Sequence, residues 1–255
     1  MTKRRAFWSL TLLLLLGALA LLLPRSPAYA PKLFARYLNV YDGHGAGHWT
    51  GALDDPDPKV RRRAIFALGM LGSDAEDAIP ALGAIMVNDD DSDLRVEASL
   101  ALSKLGPATR SEVPSLARAL GDENPLVRIN AARTLFRLGP DARPAAPALI
   151  RAMKAWQNEP EVKPFDVSVQ QVAALALGRA TAGSDEGVSA LVEALEGARR
   201  TDMRRTVARS LGDVGACARP AEPQLRALLR DEDDDVRDAA ATALKKIGAD
   251  PAPAG

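Results

Sequence analysis

The sequence is poor in the residue types from which many catalytic and metal sites are built. Its 255 residues include one cysteine, two histidines and only 4% aromatic residues. With Cys217 alone, no disulfide can form within the chain, so packing must hold the fold. We interpret Cys217 as an inert small residue, with an intermolecular disulfide or an attached group as the alternative. Because few aromatic side chains are available to line a pocket, we predict no cofactor and no small-molecule ligand.

Neither sign of charge is in excess, because 33 lysine and arginine residues balance 33 acidic ones. Residues 1–30 contain four of the basic residues and no acidic residue, which leaves 29 basic against 33 acidic residues, a net charge of −4, in the rest. Nucleic-acid-binding domains concentrate basic charge on one face. We therefore expect no nucleic-acid partner.

One long apolar run lies near the N-terminus. The basic residues 3–5 precede residues 6–23, which are uncharged and rich in leucine. This order is typical of a segment that directs export, so residues 1–30 are predicted to be a signal peptide or a signal anchor. Residues 28–30 resemble a cleavage site, whereas Pro31 favours an uncleaved anchor that associates with the membrane through residues 6–23. Either way, we expect an extracytoplasmic chain, anchored to the inner membrane or released into the periplasm or cell envelope.

A repeat dominates the rest of the chain. A leucine recurs at steps of 34, 33, 42, 34 and 33 residues. Small or apolar residues recur four and eight positions before it and three positions after it, which traces one stripe of an α-helix. A period of this length predicts an array in which each unit buries its apolar face against its neighbours. The six leucines are Leu68, Leu102, Leu135, Leu177, Leu211 and Leu244.

Each unit is predicted to contain two helices. An acidic turn precedes most of the first helices, and a glycine four residues after the repeated leucine ends all of them but the fourth. A proline marks the start of the second helix, where its missing N–H does no harm. We therefore predict an all-α solenoid of about five and a half helix pairs over residues 53–248. A linker and N-terminal cap, residues 31–52, precede it, and a disordered tail, residues 249–255, follows.

The sequence DDPDPKVRRRAIFALGMLG, followed by AIPALGAIM, resembles a HEAT repeat of the bacterial phycobilisome-lyase-like type. The resemblance covers roughly residues 51–248 and implies an ARM-type superhelix, a fold that hosts many functions. The related deoxyhypusine hydroxylases carry His-Glu pairs on their repeats. Here neither His44 nor His48 is followed by glutamate, so the resemblance supplies no residues for that activity.

Four groups of residues are candidates for a site. His44 and His48, with Asp42, are the ligands available for a metal, but their glycine-rich setting favours a linker or cap, and we predict no metal site. An arginine recurs near the start of five of the six first helices, and in four of them it follows an acidic residue or asparagine by four positions. We interpret this row as a structural ladder of ion pairs, with a ligand-binding row as the alternative. The row is Arg61, Arg95, Arg128, Arg204 and Arg237.

The third group lies on the second helices, which we expect to line the inner face of the solenoid. One outward-facing row there contains Arg118, Arg151 and Glu193. This row is suited to binding a partner helix or an acidic segment, and the alternative is that its charges are simply solvated. The fourth group lies in an insertion that lengthens one repeat. It contains Trp156 and Phe165, which either anchor a partner or fill a gap beneath their own loop.

Together these features predict a non-enzymatic protein–protein interaction scaffold displayed outside the cytoplasmic membrane. An enzyme or enzyme-assembly factor of the lyase or hydroxylase type is the alternative that the resemblance implies. A self-associating envelope protein is a third possibility, which an exposed apolar end unit would favour.

Overall fold

A computed structural model describes residues 44–155 and 169–251. The predicted signal segment, residues 31–43, Trp156, Phe165 and the last residues of the tail lie outside this range. The chain divides at Gly45, and all described helices belong to the second unit, Ala46–Gly255. No described helix is both long and apolar enough to cross a membrane.

Twelve α-helices and no strand occur in the described residues. After the short helix α1, five pairs of a first and a second helix follow, α2 to α11, and α12 is a first helix without a described second one. The predicted all-α solenoid of five and a half pairs is confirmed. The helices are α1 Ala46–Gly51, α2 Pro58–Leu71, α3 Ile79–Asn88, α4 Ser92–Leu105, α5 Val113–Ala119, α6 Pro125–Leu138, α7 Ala146–Ala155, α8 Val169–Ala180, α9 Val188–Glu196, α10 Thr201–Val214, α11 Glu222–Leu228 and α12 Asp234–Lys246.

The first helices begin and end at the residues that the sequence marks. Asp57, Asp91 and Asn124 each accept a hydrogen bond from the backbone N–H two residues later, which satisfies a donor that the helix itself leaves unpaired. At the other end, the glycine after α2 has φ of 62° and its equivalent after α4 has φ of 65°. A side chain would be strained in this left-handed region, so glycine is required there.

The repeated leucines form the centre of the core. All six have 0% exposure, and so do the small residues four positions earlier. A second buried row comes from the second helices, where Leu82, Leu116 and Leu149 are also fully buried. Because each leucine lies between its own repeat and the next, burial of the apolar surface depends on the neighbours being present.

The connection between the two helices of a unit is a seven-residue 3₁₀ segment in four of the five pairs. The sequence predicts only a turn at these places. The segments are Gly72–Ala78, Gly106–Glu112, Gly139–Ala145 and Gly215–Ala221. In the fourth pair, Thr181 replaces the glycine, and its hydroxyl donates to the carbonyl of Leu177 at 2.8 Å.

Neighbouring first helices approach one another closely. A Cβ atom added at Gly178 in α8 would lie 2.5 Å from the carbonyl oxygen of Ser210 in α10, and one at Gly212 would lie 3.0 Å from the Cα of Ala243 in α12. The second helices make fewer contacts with one another. The first helices therefore form the tighter side of the stack, and which helices line its inner face stays a prediction.

Both described ends of the array are covered. Trp49 in α1 is only 7% exposed, and Leu53, just after α1, is 1% exposed. At the other end, the small side chains of α12 and Ile247 are buried, so no large apolar residue is exposed in this helix. This arrangement does not support end-to-end association through an exposed apolar unit.

Candidate functional site

The arginine row links successive repeats. Arg61 donates from Nε and Nη2 to the carboxylate of Asp89 at 3.0 and 3.1 Å. Arg95 makes the same two bonds to Asp122, at 2.9 and 3.3 Å, and its Nη1 donates to the carbonyl of Asp89 at 2.9 Å. A bidentate hydrogen bond fixes both the distance and the orientation of its partners. Arg61 and Arg95 therefore each hold the acidic turn of the next unit. The predicted ladder is confirmed.

The acidic residues in this ladder are not the ones four positions before each arginine. Those residues cap the helices instead. The ladder uses the acidic residue two positions before the cap of the following unit: Asp89, Asp122 and Asp231. Asp231 accepts from Arg204 at 2.7 Å, and this bond holds the pKa of Asp231 below its ordinary value. The corresponding bond that Arg95 donates to Asp122 raises the pKa of Arg95.

The ladder changes at the lengthened repeat. Arg128 is 1% exposed and donates from Nη1 to the carbonyl oxygens of Asp122 and Glu123, at 2.8 and 2.9 Å. In the fourth repeat Gln170 stands at the arginine position, and the amide of the next residue, Gln171, donates to Asp202. Arg95 and Arg128 are therefore buried in the joints between repeats, which leaves their guanidiniums poorly placed to bind a ligand.

The predicted row on the second helices is solvent-exposed. Arg118 donates a single bond to Asn88 at 3.3 Å, and Glu193 pairs with Lys154 at 2.6 Å. Arg151 makes no hydrogen bond or ion pair with any described residue. The three charges stand on successive second helices, α5, α7 and α9, with small residues such as Ala148 and Ala190 between them.

The candidate metal ligands are only partly described. His48 in α1 packs edge-on against the ring of Trp49, with 5.1 Å between ring centroids, whereas Asp42 lies outside the described residues. Across residues 44–155 and 169–251, no three histidine, cysteine or acidic side chains group as metal ligands would. Cys217 is partly exposed in the 3₁₀ segment after α10, with a free thiol.

A groove between α2 and α4 was not predicted from the sequence. Phe66 is 57% exposed and Leu100 is 45% exposed, and they are the two large apolar side chains that stand exposed in the described part of the chain. They occupy the same repeat position, two residues before the core leucine, and line a groove of about 650 Å³.

Comparing that position across the repeats would have found the groove, because most of the later repeats carry a polar residue there. The exception is the leucine of the fourth repeat, and the structure leaves it only partly exposed. An adjacent pair of exposed apolar side chains at this position therefore occurs, within the described residues, on α2 and α4. The later residues of the row are Arg133, Leu175, Arg209 and Thr242.

Sequence comparison identifies the repeats. Profiles of HEAT repeats match residues 48–113 and 162–245, and a further HEAT-repeat profile matches residues 113–142. Together these matches span more than half of the chain. The protein belongs to the HEAT-repeat family. No curated protein matches the chain significantly.

Several solved structures of other proteins have the same repeat architecture. An engineered protein is 22% identical with a TM-score of 0.56, over 80% of this chain and 96% of its own. A designed armadillo repeat protein in complex with the peptide (KR)4 is 16% identical with a TM-score of 0.58, over 78% of this chain and 98% of its own. These two likenesses show the fold alone.

A third likeness is to a natural protein. In the complex of CpcE and CpcF of phycocyanin lyase from Nostoc sp. PCC7120, one chain is 27% identical to this one, with a TM-score of 0.54. The match covers 80% of this chain and 77% of that one.

Proposed function

We propose that the protein is a non-enzymatic scaffold that binds another protein through its exposed helix faces. One observation carries this proposal. The side chains that recur bind neighbouring repeats to one another, whereas the residue types at the exposed positions differ from repeat to repeat. Arg95 and Arg128 are buried in the joints, whereas Phe66, Leu100 and Arg151 stand exposed on regularly spaced helices. Rigid helices with variable exposed side chains are the means by which solenoid proteins recognise partners.

We propose further that the scaffold works outside the cytoplasm. The support is the basic start of the chain followed by the apolar residues 6–23, as in exported proteins. The solenoid would then be held at the outer face of the inner membrane or released. Fusion of a reporter enzyme that folds only outside the cytoplasm to the C-terminus tests this location. An active fusion is expected, and an inactive one contradicts it.

The binding function is tested by crosslinking and affinity capture from the native envelope. The full chain is compared with an Arg118→Glu/Arg151→Glu variant, with a Phe66→Ser/Leu100→Ser variant, and with a version in which the 157–166 segment is shortened. Recovery of one protein that is lost with any of these changes supports the scaffold. Recovery of the bait alone contradicts it and favours self-association.

The likeness to a chain of a phycocyanin lyase complex favours one second candidate, an enzyme or enzyme-assembly factor of the lyase type. Partly exposed Cys217 is the nucleophile that the described residues offer for attaching a group. A thiol-labelling assay on the native protein distinguishes the two. Free Cys217 in the purified protein is expected for the scaffold, and a covalent adduct at Cys217 favours the lyase-type role.

A further inference from the structure

The geometry points to a specific docking site: we propose that the groove between α2 and α4 binds an acidic amphipathic helix of a partner protein. This inference rests on the proposed scaffold function and assigns it a place and a chemistry. The reasons lie in the shape of the groove, its apolar lining and the charges at its two ends.

The floor of the groove is shallow and apolar. Gly69 lacks a side chain, and a Cβ there would lie 3.3 Å from the Cβ of Ala101, so α2 and α4 are in near contact along this line. Phe66 and Leu100 rise on either side of it. A surface with two exposed large apolar side chains around a narrow floor accepts the apolar stripe of a helix.

Basic side chains surround this apolar floor. Lys59, Arg62, Arg63 and Lys104 line the groove, with Glu97 as the acidic residue among them. The carboxylate of Glu97 is held by Nε of Arg62 at 3.0 Å, and Arg62 also lies 3.8 Å from Asp91 and 3.7 Å from Asp93. Arg62 is therefore fully engaged by three carboxylates, and this side of the groove carries more negative than positive charge. Arg63 lies over the ring of Trp49, at 5.3 Å from its centroid.

Two cations remain for a partner. Lys59 and Lys104 are exposed and form no ion pair with any described residue. Lys59 lies at the start of α2. Lys104 lies near the end of α4, eleven residues after the α4 position that is equivalent to Lys59. At 1.5 Å per residue this is a separation of about 16 Å along the groove. A helix with acidic side chains near both ends and apolar ones between them matches this pattern.

A protein helix fits these observations better than a lipid surface does. The apolar side chains line a groove rather than a projecting tip, and a flat anionic membrane cannot follow a floor between two helices. The basic residues 3–5 at the start of this chain would be repelled by the same lysines. These features leave an acidic segment of a second protein as the occupant.

Peptide selection on the full chain, kept in a mild non-ionic detergent, tests the site. A displayed library of random peptides of about 16 residues, long enough as a helix to span the groove, is selected, and affinities are measured by fluorescence anisotropy. The recovered peptides are expected to be acidic with apolar residues at helical spacing. Phe66→Ser/Leu100→Ser is expected to weaken them at least tenfold, with unchanged circular dichroism and thermal midpoint.

A charge-reversal pair sharpens the result. Lys59→Glu/Lys104→Glu is expected to weaken the acidic peptides and to bind versions in which lysine replaces glutamate. The matched control is Arg118→Glu/Arg151→Glu, which should bind the acidic peptides as the unchanged chain does.

Several outcomes overturn the inference. Peptides that are not acidic, or that bind Phe66→Ser/Leu100→Ser at full affinity, exclude this groove, and so does recovery of no peptide. Loss of binding with Arg118→Glu/Arg151→Glu alone moves the site to the second helices and leaves the scaffold function intact. Stronger partitioning of the unchanged chain than of Phe66→Ser/Leu100→Ser onto phosphatidylglycerol vesicles, at limiting lipid, identifies a membrane instead. A dimer that sedimentation detects and that the same variant dissociates identifies a second copy.

Discussion

Basic side chains gather in two places with opposite surroundings. In the ladder, Arg95 has a side chain that is 8% exposed and a carboxylate partner, Asp122, that is 9% exposed. In the groove between α2 and α4, Lys104 is exposed and has no ion-pair partner among the described residues. The ladder position recurs from repeat to repeat, whereas the groove positions change. Positions whose residue recurs from repeat to repeat therefore join the repeats. Exposed positions whose residue changes remain available to bind a partner.

The largest expected effect comes from breaking the ladder. Arg95→Ala leaves the carboxylate of Asp122 buried without its cation, which should lower the free energy of unfolding by about 3–5 kcal/mol. Lys104→Ala, the matched change in the groove, should alter it by no more than about 0.5 kcal/mol. Urea unfolding followed by circular dichroism measures both. Equal effects of the two substitutions would contradict the distinction between the two places.

A smaller effect is expected where the first helices touch. Gly178→Ala places a methyl group 2.5 Å from the carbonyl of Ser210, so the helices must separate. We expect a loss of about 1–3 kcal/mol in the free energy of unfolding. Gly51→Ala, where nothing lies within 4 Å, is the control and should be neutral or slightly stabilising. A neutral Gly178→Ala would mean that the first helices are not the tighter side.

The ladder should also make stability depend on acidity. Because Arg204 lowers the pKa of Asp231 in the folded chain, the ionised carboxylate stabilises the fold above its unfolded pKa, about 3.9. This contribution is lost as the pH falls from that value through the lower folded pKa. Asp231→Asn should be less stable at neutral pH and show a shallower loss of stability in this acidic window. Unfolding curves at several pH values measure this, and an unchanged slope would contradict the pairing.

The smallest effect is expected on the second helices. Arg151→Ala removes a side chain with no described partner, and Arg118→Ala removes one bond to Asn88. Each should change the free energy of unfolding by no more than about 0.5 kcal/mol, by the same unfolding measurement. A larger loss for Arg151→Ala would show that this row has a structural role.

Much of the fold could be predicted from the sequence, because the constraints on it are local and repeated. The leucine spacing, the capping residues and the glycines that end most of the first helices each act within a few residues, and the repeated copies reinforce one another. The partner of each arginine could not be assigned in this way. The bond from Arg61 crosses to Asp89 in the next unit, and the nearer acidic residue, Asp57, is already occupied in capping.

The candidate site was less predictable for a physical reason. Exposure depends on which neighbours cover a helix face, and the sequence places Phe66 on the same helix as the core leucines. Only the packing of α2 against α4 shows that its ring and Leu100 stay uncovered. The residues expected to bind on the lengthened repeat, Trp156 and Phe165, lie outside the described residues and stay predictions.

Photocrosslinking in the native cells tests most directly whether the partner binds at the groove between α2 and α4. The photoreactive residue p-benzoylphenylalanine is placed at position 66 in the groove, at position 151 on the second helices, or at Thr242 in α12 as the matched position of the last repeat. We expect one partner protein to be crosslinked strongly from position 66 and not from position 242. Crosslinking of that partner from positions 151 and 242 but not from 66 would contradict the assignment of the binding site to the groove between α2 and α4.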